Sequence, residues 1–216
     1  MSIRTLFDDE LSLLNTELIK MGALCERAVR SALNVYFLGK KADAETANKL
    51  EKEIDSKERD IEDLCMKLIL RQQPVAGDLR LISSAIKMIS DMERIGDQAQ
   101  DIADIAINID SEEINDHVHI RNMSETALSM VSKSIDAFVK KDVSTAEEVI
   151  KMDDIVDEGF DKEELIQAVR EDSKKSEEYI DILMIAKYIE RIGDHAVNIA
   201  EWVEYSVTGA HRKGEL

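Results

Sequence analysis

One phrase occurs twice in the chain. ERIGD spans residues 93–97, inside DMERIGDQAQDIA, and returns at residues 190–194, inside YIERIGDHAVNIAE, 97 positions further on. Internal repetition at this scale constrains folding strongly, because each copy has to bury the same faces in its own supersecondary unit. The register holds beyond the phrase: Ala99, Ile102 and Ala103 fall on Ala196, Ile199 and Ala200. A weaker pair lies upstream, where EKEID at 51–55 resembles DDIVD at 153–157 with an offset of 102. The second copy is therefore shorter between its motifs, and the difference falls where RQQPVAGD has no counterpart.

A single proline, eight glycines and 4% aromatic residues leave little material for turn-rich β structure, so each copy has to be helical. Leu11, Leu14, Leu18, Met21, Cys25, Ala28, Ala32 and Val35 recur at three- and four-residue steps, the stripe of an amphipathic helix over 8–38. Gly39 stops it. A second helix is expected over 43–71, and Pro74 breaks the chain before a third that runs to Ile109. Residues 110–119 lack periodicity and read as a linker. The pattern then restarts: one helix from about Met123, a break at KKD (140–142), a fifth helix whose stripe continues to Phe160 and Leu165, and a last one ending near Val207. The expected fold is all-α, two tandem antiparallel three-helix bundles in a spectrin-repeat-like arrangement, residues 1–112 and 113–216. Each bundle is expected to bury its own separate core.

Residues four apart share a helix face, so Glu93 with Asp97 and Glu190 with Asp194 each set two carboxylates side by side. On a helical wheel Glu93 lies over Ile86 and near Ile89, and Glu190 over Leu183: the acids fall in the apolar stripe rather than opposite it. Carboxylates displaced toward an interior need a counter-charge. A neighbouring Lys or Arg, a cation held by oxygen ligands from two helices, and protonation are the three ways to supply one. Gly96 and Gly193 recur beside the acids although a mid-helix glycine costs about 1 kcal/mol, which marks a close approach by another backbone or a ligand. Arg94 and Arg191 are turned about 100° away on the wheel and are expected in solvent or facing a partner, not neutralising the acids.

Charge and motifs exclude much. With 28 basic against 46 acidic residues the formal charge is −18, which disfavours nucleic acid and anionic lipid surfaces. Cys25 and Cys65 have no CxxC spacing and read as core. The opening MSIRTLFDDELSLL has no apolar leader core, and no segment approaches about 18 apolar residues, so a cytoplasmic protein without membrane insertion is expected. No GxSxG, Walker loop or GxGxxG is present, so neither a nucleophile elbow nor a phosphate-cradling loop is signalled. A ferritin-like di-iron enzyme also stores acids inside a bundle, but it needs a Glu-x-x-His step, and none of the four histidines follows a Glu at that spacing. His195 is expected at a surface or between helices. A purely structural scaffold is the remaining alternative.

The two ERIGD copies, with RQQPVAGDLRLISSAIKMISDMERIGDQAQDIA before the linker and AKYIERIGDHAVNIAE near the end, resemble the PhoU family over nearly the whole chain. The resemblance implies tandem three-helix bundles whose acidic motifs bind metal ions, iron, zinc, manganese or magnesium, as single ions or multinuclear clusters. By this likeness Glu51 and Asp55 pair with Glu93 and Asp97 in the first bundle, and Asp153 and Asp157 with Glu190 and Asp194 in the second. Asp101 lies one turn beyond the first set and Asn198 replaces it in the second, which makes the sites chemically unequal. The resemblance further implies a non-enzymatic adaptor that restrains phosphate-starvation genes. Its implied partners are the ATPase subunit of the phosphate ABC transporter and a phosphate-sensing histidine kinase, with a homodimer left open.

Overall fold

The computed structural model describes residues 3–72, 74–109, 120–159, 166, 167, 169, 170 and 173–210. Six long helices carry it: α1 (Ile3–Leu38), α2 (Ala42–Gln72), α3 (Ala76–Ala106), α4 (Ile120–Lys140), α5 (Val143–Glu158) and α6 (Ser176–Thr208), the last entered through a short 3-10 turn. Helices α1, α2 and α3 pack on one another, and so do α4, α5 and α6, giving the two expected bundles. The expected linker, the boundary between 112 and 113, and Phe160 and Leu165 lie outside the described residues.

The turns repeat as the motifs do. Gly39 ends α1 at φ 61°, and Lys141, 102 positions later, ends α4 at φ 54°. Both take the left-handed conformation that frees the chain from a helix, which glycine adopts without strain and lysine does not. In the second copy Asp142 compensates as N-cap of α5: its carboxylate accepts from the Ser144 and Thr145 amides at 3.0 and 3.2 Å and from the Thr145 hydroxyl at 2.7 Å.

The expectation of two separate cores is not met: the buried apolar residues form a single cluster running through both bundles. The reason is the width of the buried arc on α3. Leu81, Ser84, Met88, Ile95, Gln98 and Ile102 form a second buried stripe beside that of Ile82, Ala85, Ile89, Gly96, Ala99 and Ala103. One stripe serves the first bundle, and α3 also packs extensively against α6, while α1 packs on α4. At the α1–α4 crossing, a Cβ on Gly22 would lie 2.5 Å from Ile135 Cδ1, so any larger residue there would force the Ile135 side chain to shift. Cys25 and Cys65 are buried in this core as expected. Burial pushes both thiols up, Cys65 to about 12, so they stay protonated.

Candidate metal centres

In the first bundle the acids meet across the α2–α3 seam. A Cβ on Gly96 would stand 3.0 Å from Ile54 Cδ1, so the glycine lets the fully buried Ile54 press against α3 and draws the flanking Glu51 and Asp55 toward Asp97. Oxygens of Glu51, Asp55 and Asp97 all lie within 4.8 Å of one another, and the three residues are half-buried. Glu93 faces the same group, with Asp97, Glu58 and Asp55 as its acidic neighbours. Burial first, and like charge second, raises the carboxyls of Glu51 and Glu93 above their ordinary range.

The neutralising cation here is Arg94, contrary to expectation. Its Nη1 lies 3.0 Å from Asp97 Oδ2 and its Nε 3.4 Å from Glu93 Oε2. The wheel fixes only where Cβ points, and a guanidinium on a four-bond stem swings back over the adjacent turn. Arg59 stands farther off, 3.9 Å from Asp55.

The second cluster lies between α5 and α6. Asp153 is half-buried, and its Oδ1 is buried without a hydrogen-bond partner among the described residues. A Cβ on Gly193 would sit 3.4 Å from that oxygen, so this glycine too stands against the acidic motif of the preceding helix. Burial, then Asp157, Asp194, Asp154 and Glu190, push the Asp153 carboxyl up to about 6. Asp194 is raised by burial and by Glu190 and Asp157, with His195 and Lys187 opposing. Lys187 hydrogen-bonds Glu190. Asp157 and Asp194 are exposed, and among the described residues no three of these acids converge within 4.8 Å as the first set does.

Asp101 is not one of the three converging residues but borders them: burial and then Asp97 raise its carboxyl. The Tyr188 hydroxyl of α6 hydrogen-bonds its carboxylate, while Asn198 Nδ2 donates to Asp91 Oδ1 at 3.0 Å. These two contacts are the same contact, for Asp101 corresponds to Asn198 and Asp91 to Tyr188 at the 97-residue offset. Helices α3 and α6 thus run antiparallel about an internal pseudo-two-fold axis, with the reciprocal pairing of an isologous interface. His195 is between helices, as expected, its Nδ1 2.9 Å from Asp91 Oδ1.

Comparison with known proteins agrees with this geometry. The family model described as PhoU domain matches twice, over 18–106 and 120–203, one match in each bundle. The chain belongs to the PhoU family. It is 36% identical over 210 residues to a "phosphate-specific transport system accessory protein PhoU homolog" of Clostridium acetobutylicum, covering 95% of this chain and 96% of that protein. A homolog of the same description from Pseudomonas aeruginosa is 35% identical, over 94% of this chain and 86% of its own. The crystal structure of PhoU from P. aeruginosa superposes with a TM-score of 0.89 at 35% identity, covering 94% of this chain and 100% of that one. The phosphate transport system regulatory protein PhoU from Streptococcus pneumoniae gives 0.80 at 25% identity, covering 95% and 98%.

Within each PhoU unit the donor set is all carboxylate, which suits hard cations. Two oxygens bound to one ion at about 2.0–2.6 Å can stand no more than about 4–5 Å apart, so the Glu51, Asp55 and Asp97 oxygens are spaced as a single ion requires. The unpartnered Asp153 oxygen is the corresponding sign of fit in the second unit. Two residues at the sites escaped the sequence reading. Glu58 lies seven positions after Glu51, hence on the same face of α2, and accepts from the Ser90 hydroxyl at 3.1 Å. Asp91 anchors the inter-bundle contact, and no repeat marks it, because its counterpart is Tyr188. No described helix is long and apolar enough to cross a membrane.

Proposed function

We propose that this chain is a non-enzymatic, cytoplasmic regulator of phosphate uptake that holds divalent cations at its two carboxylate clusters and acts through protein partners. The supporting observation is the convergence of Glu51, Asp55 and Asp97, with Glu93 beside them, and a corresponding but more open set at Asp153, Asp157, Glu190 and Asp194. Carboxylates crowded enough to raise one another's proton affinity are stabilised when a cation joins them. Magnesium, manganese and iron match the oxygen donors best, and zinc less well. The relatives' descriptions as phosphate transport accessory and regulatory proteins supply the setting. The ATPase subunit of the phosphate ABC transporter and a phosphate-sensing histidine kinase are the partners this reading assigns, with restraint of the phosphate-starvation regulon as the output. The two units divide near residue 112.

The test is to delete the gene and follow a phosphate-starvation reporter in phosphate-rich medium. The reporter is expected to switch on and to be silenced again by the wild-type chain. Affinity capture is expected to recover the ATPase or the kinase, and elemental analysis to find metal in the purified protein. A reporter that stays silent after deletion removes the regulatory reading, and metal-free protein removes the cation.

A further inference from the structure

The α3–α6 seam contains a polar cleft that the carboxylate clusters leave unused. Two depressions, about 720 and 450 Å³ in volume, share Arg94, Asn198 and Glu201. The larger has both ERIGD arginines, Arg94 and Arg191, on its walls, at positions equivalent under the internal pseudo-two-fold. The smaller adds Lys87 and Trp202. These three cations are matched by Asp91, Asp194 and Glu201, so the cleft is formally neutral in a chain that carries −18 overall. Arg94 is shared with Glu93 and Asp97, but Arg191 and Lys87 make no ion pair within 4.0 Å among the described residues. The Arg191 guanidinium stands 6.0 Å from the Tyr188 ring centroid.

A second observation also points to a ligand. Gln98 lines the larger depression, is 7% exposed, and its Oε1 is buried without a hydrogen-bond partner among the described residues. A buried acceptor left unmet costs roughly 1–3 kcal/mol, a cost that a ligand's donor removes. The acids of the cleft are placed to act as acceptors too. Asp91 Oδ1 is already held by His195 and Asn198, Asp194 belongs to the second carboxylate cluster, and Glu201 stands where the depressions join.

We infer that this cleft binds a phosphorylated small molecule of nucleotide size, its phosphate held by Arg94 and Arg191 and its hydroxyl or amino donors by Gln98 and Glu201. Paired guanidiniums match phosphate oxygens in charge and geometry. The volume lies in the range of small-molecule sites, roughly 300–1,000 Å³, and is far larger than a bare phosphate needs. An acidic peptide would set its carboxylates against Asp91, Asp194 and Glu201 with few donors to satisfy them. A phosphorylated nucleoside carries both the anion and the donors.

Trp202 is the sole tryptophan and lines the cleft, so its fluorescence reports occupancy directly. The full chain, stripped of metal so that cation–nucleotide complexes do not enter the signal, is titrated with AMP, ADP, ATP, inorganic phosphate and a glutamate-rich peptide. Equilibrium dialysis runs in parallel. Saturable one-to-one nucleotide binding is expected, weakened at least about tenfold by Arg191→Gln, the order of effect of losing a charge-assisted hydrogen bond. Arg191 is exposed, so this variant is expected to fold normally by circular dichroism. Gln98→Leu is expected to raise thermal stability of the free protein while weakening the nucleotide. The inference is overturned if no nucleotide binds by millimolar concentration, if inorganic phosphate or the peptide binds as tightly, or if Arg191→Gln leaves nucleotide affinity unchanged.

Discussion

The two carboxylate clusters share a spacing and differ in their surroundings. Across α2 and α3, three oxygens converge within 4.8 Å and a guanidinium spans Glu93 and Asp97. Across α5 and α6, the acids are more open, Lys187 pairs with Glu190, and one oxygen of Asp153 is buried without a hydrogen-bond partner among the described residues. Helix periodicity places the acids equally in both copies, but the neighbouring cations decide what a metal ion meets on arrival. In the first cluster it competes with Arg94 for Glu93 and Asp97. In the second it meets a carboxyl raised to about 6 by burial and by its acidic neighbours, so that below about pH 6 binding displaces a proton instead of an arginine.

The largest expected effect tests whether the clusters are independent. Glu51→Ala with Asp97→Ala is expected to weaken cation binding at the first cluster by at least about 100-fold, the loss that removing even an outer hydrogen-bond partner of a ligand can cause. The second cluster should keep its affinity, and Asp153→Ala with Asp194→Ala should give the mirror result. Calorimetric titration of metal-free protein with manganese distinguishes the two. Loss of both sites from either pair would mean a single coupled centre and would end the two-cluster description.

Next in size is a pH effect that is largest in the second copy. The Asp153 carboxyl, at about 6 in the folded chain, stands above its unfolded value of about 3.9, so the folded state holds the proton more tightly. Stability of the metal-free protein therefore falls as pH rises from 4 through 6, and the loss is complete above that window. Asp153→Asn removes the ionisation. It is expected to stabilise metal-free protein at pH 7 by about 1–2 kcal/mol, water screening part of the shift, and to give no gain at pH 4. Urea unfolding at the two pH values measures this, and an equal gain at both would show that the charge on Asp153 is not the cause. With saturating manganese the sign should reverse, because the variant lacks a ligand.

How far the sequence reveals these features follows from what a helical wheel encodes. It gives Cβ directions along one helix, and so it gave the i, i+4 acids, the glycines beside them, and His195 between helices. It does not encode where a long side chain ends, which is why Arg94, exposed as expected, was not expected to pair with Glu93 and Asp97. Nor does one stripe disclose a second buried face. On α3 that face contains Ser84 and Gln98 among its apolar residues, so it read as surface and the continuous core went unseen. Asp101 lies one turn beyond Asp97, which the spacing shows, but its hydrogen bond from Tyr188 on the other bundle is not encoded along one helix.

The smallest expected effect separates the two ERIGD glycines. Alanine in a helix interior is favoured over glycine by about 1 kcal/mol, so both Gly→Ala changes begin with the same gain. At Gly193 the new methyl meets Asp153 Oδ1 at 3.4 Å and Val156 Cγ1 at 3.5 Å, ordinary contacts, and the gain is kept. Gly193→Ala should therefore raise the denaturation midpoint of metal-free protein while crowding the Asp153 oxygen and weakening manganese. At Gly96 the methyl meets Ile54 Cδ1 at 3.0 Å, tighter than an ordinary contact, and Ile54 is fully buried. Overpacking of about 1 kcal/mol or more then cancels the gain, and Gly96→Ala should be neutral or destabilising. Adding Ile54→Val, which deletes Cδ1, should restore the gain in the double variant, a non-additivity that neither change explains alone. Additive effects would mean that Ile54 does not set the approach of α2 to α3, and the closeness of Glu51 and Asp55 to Asp97 would then need another cause.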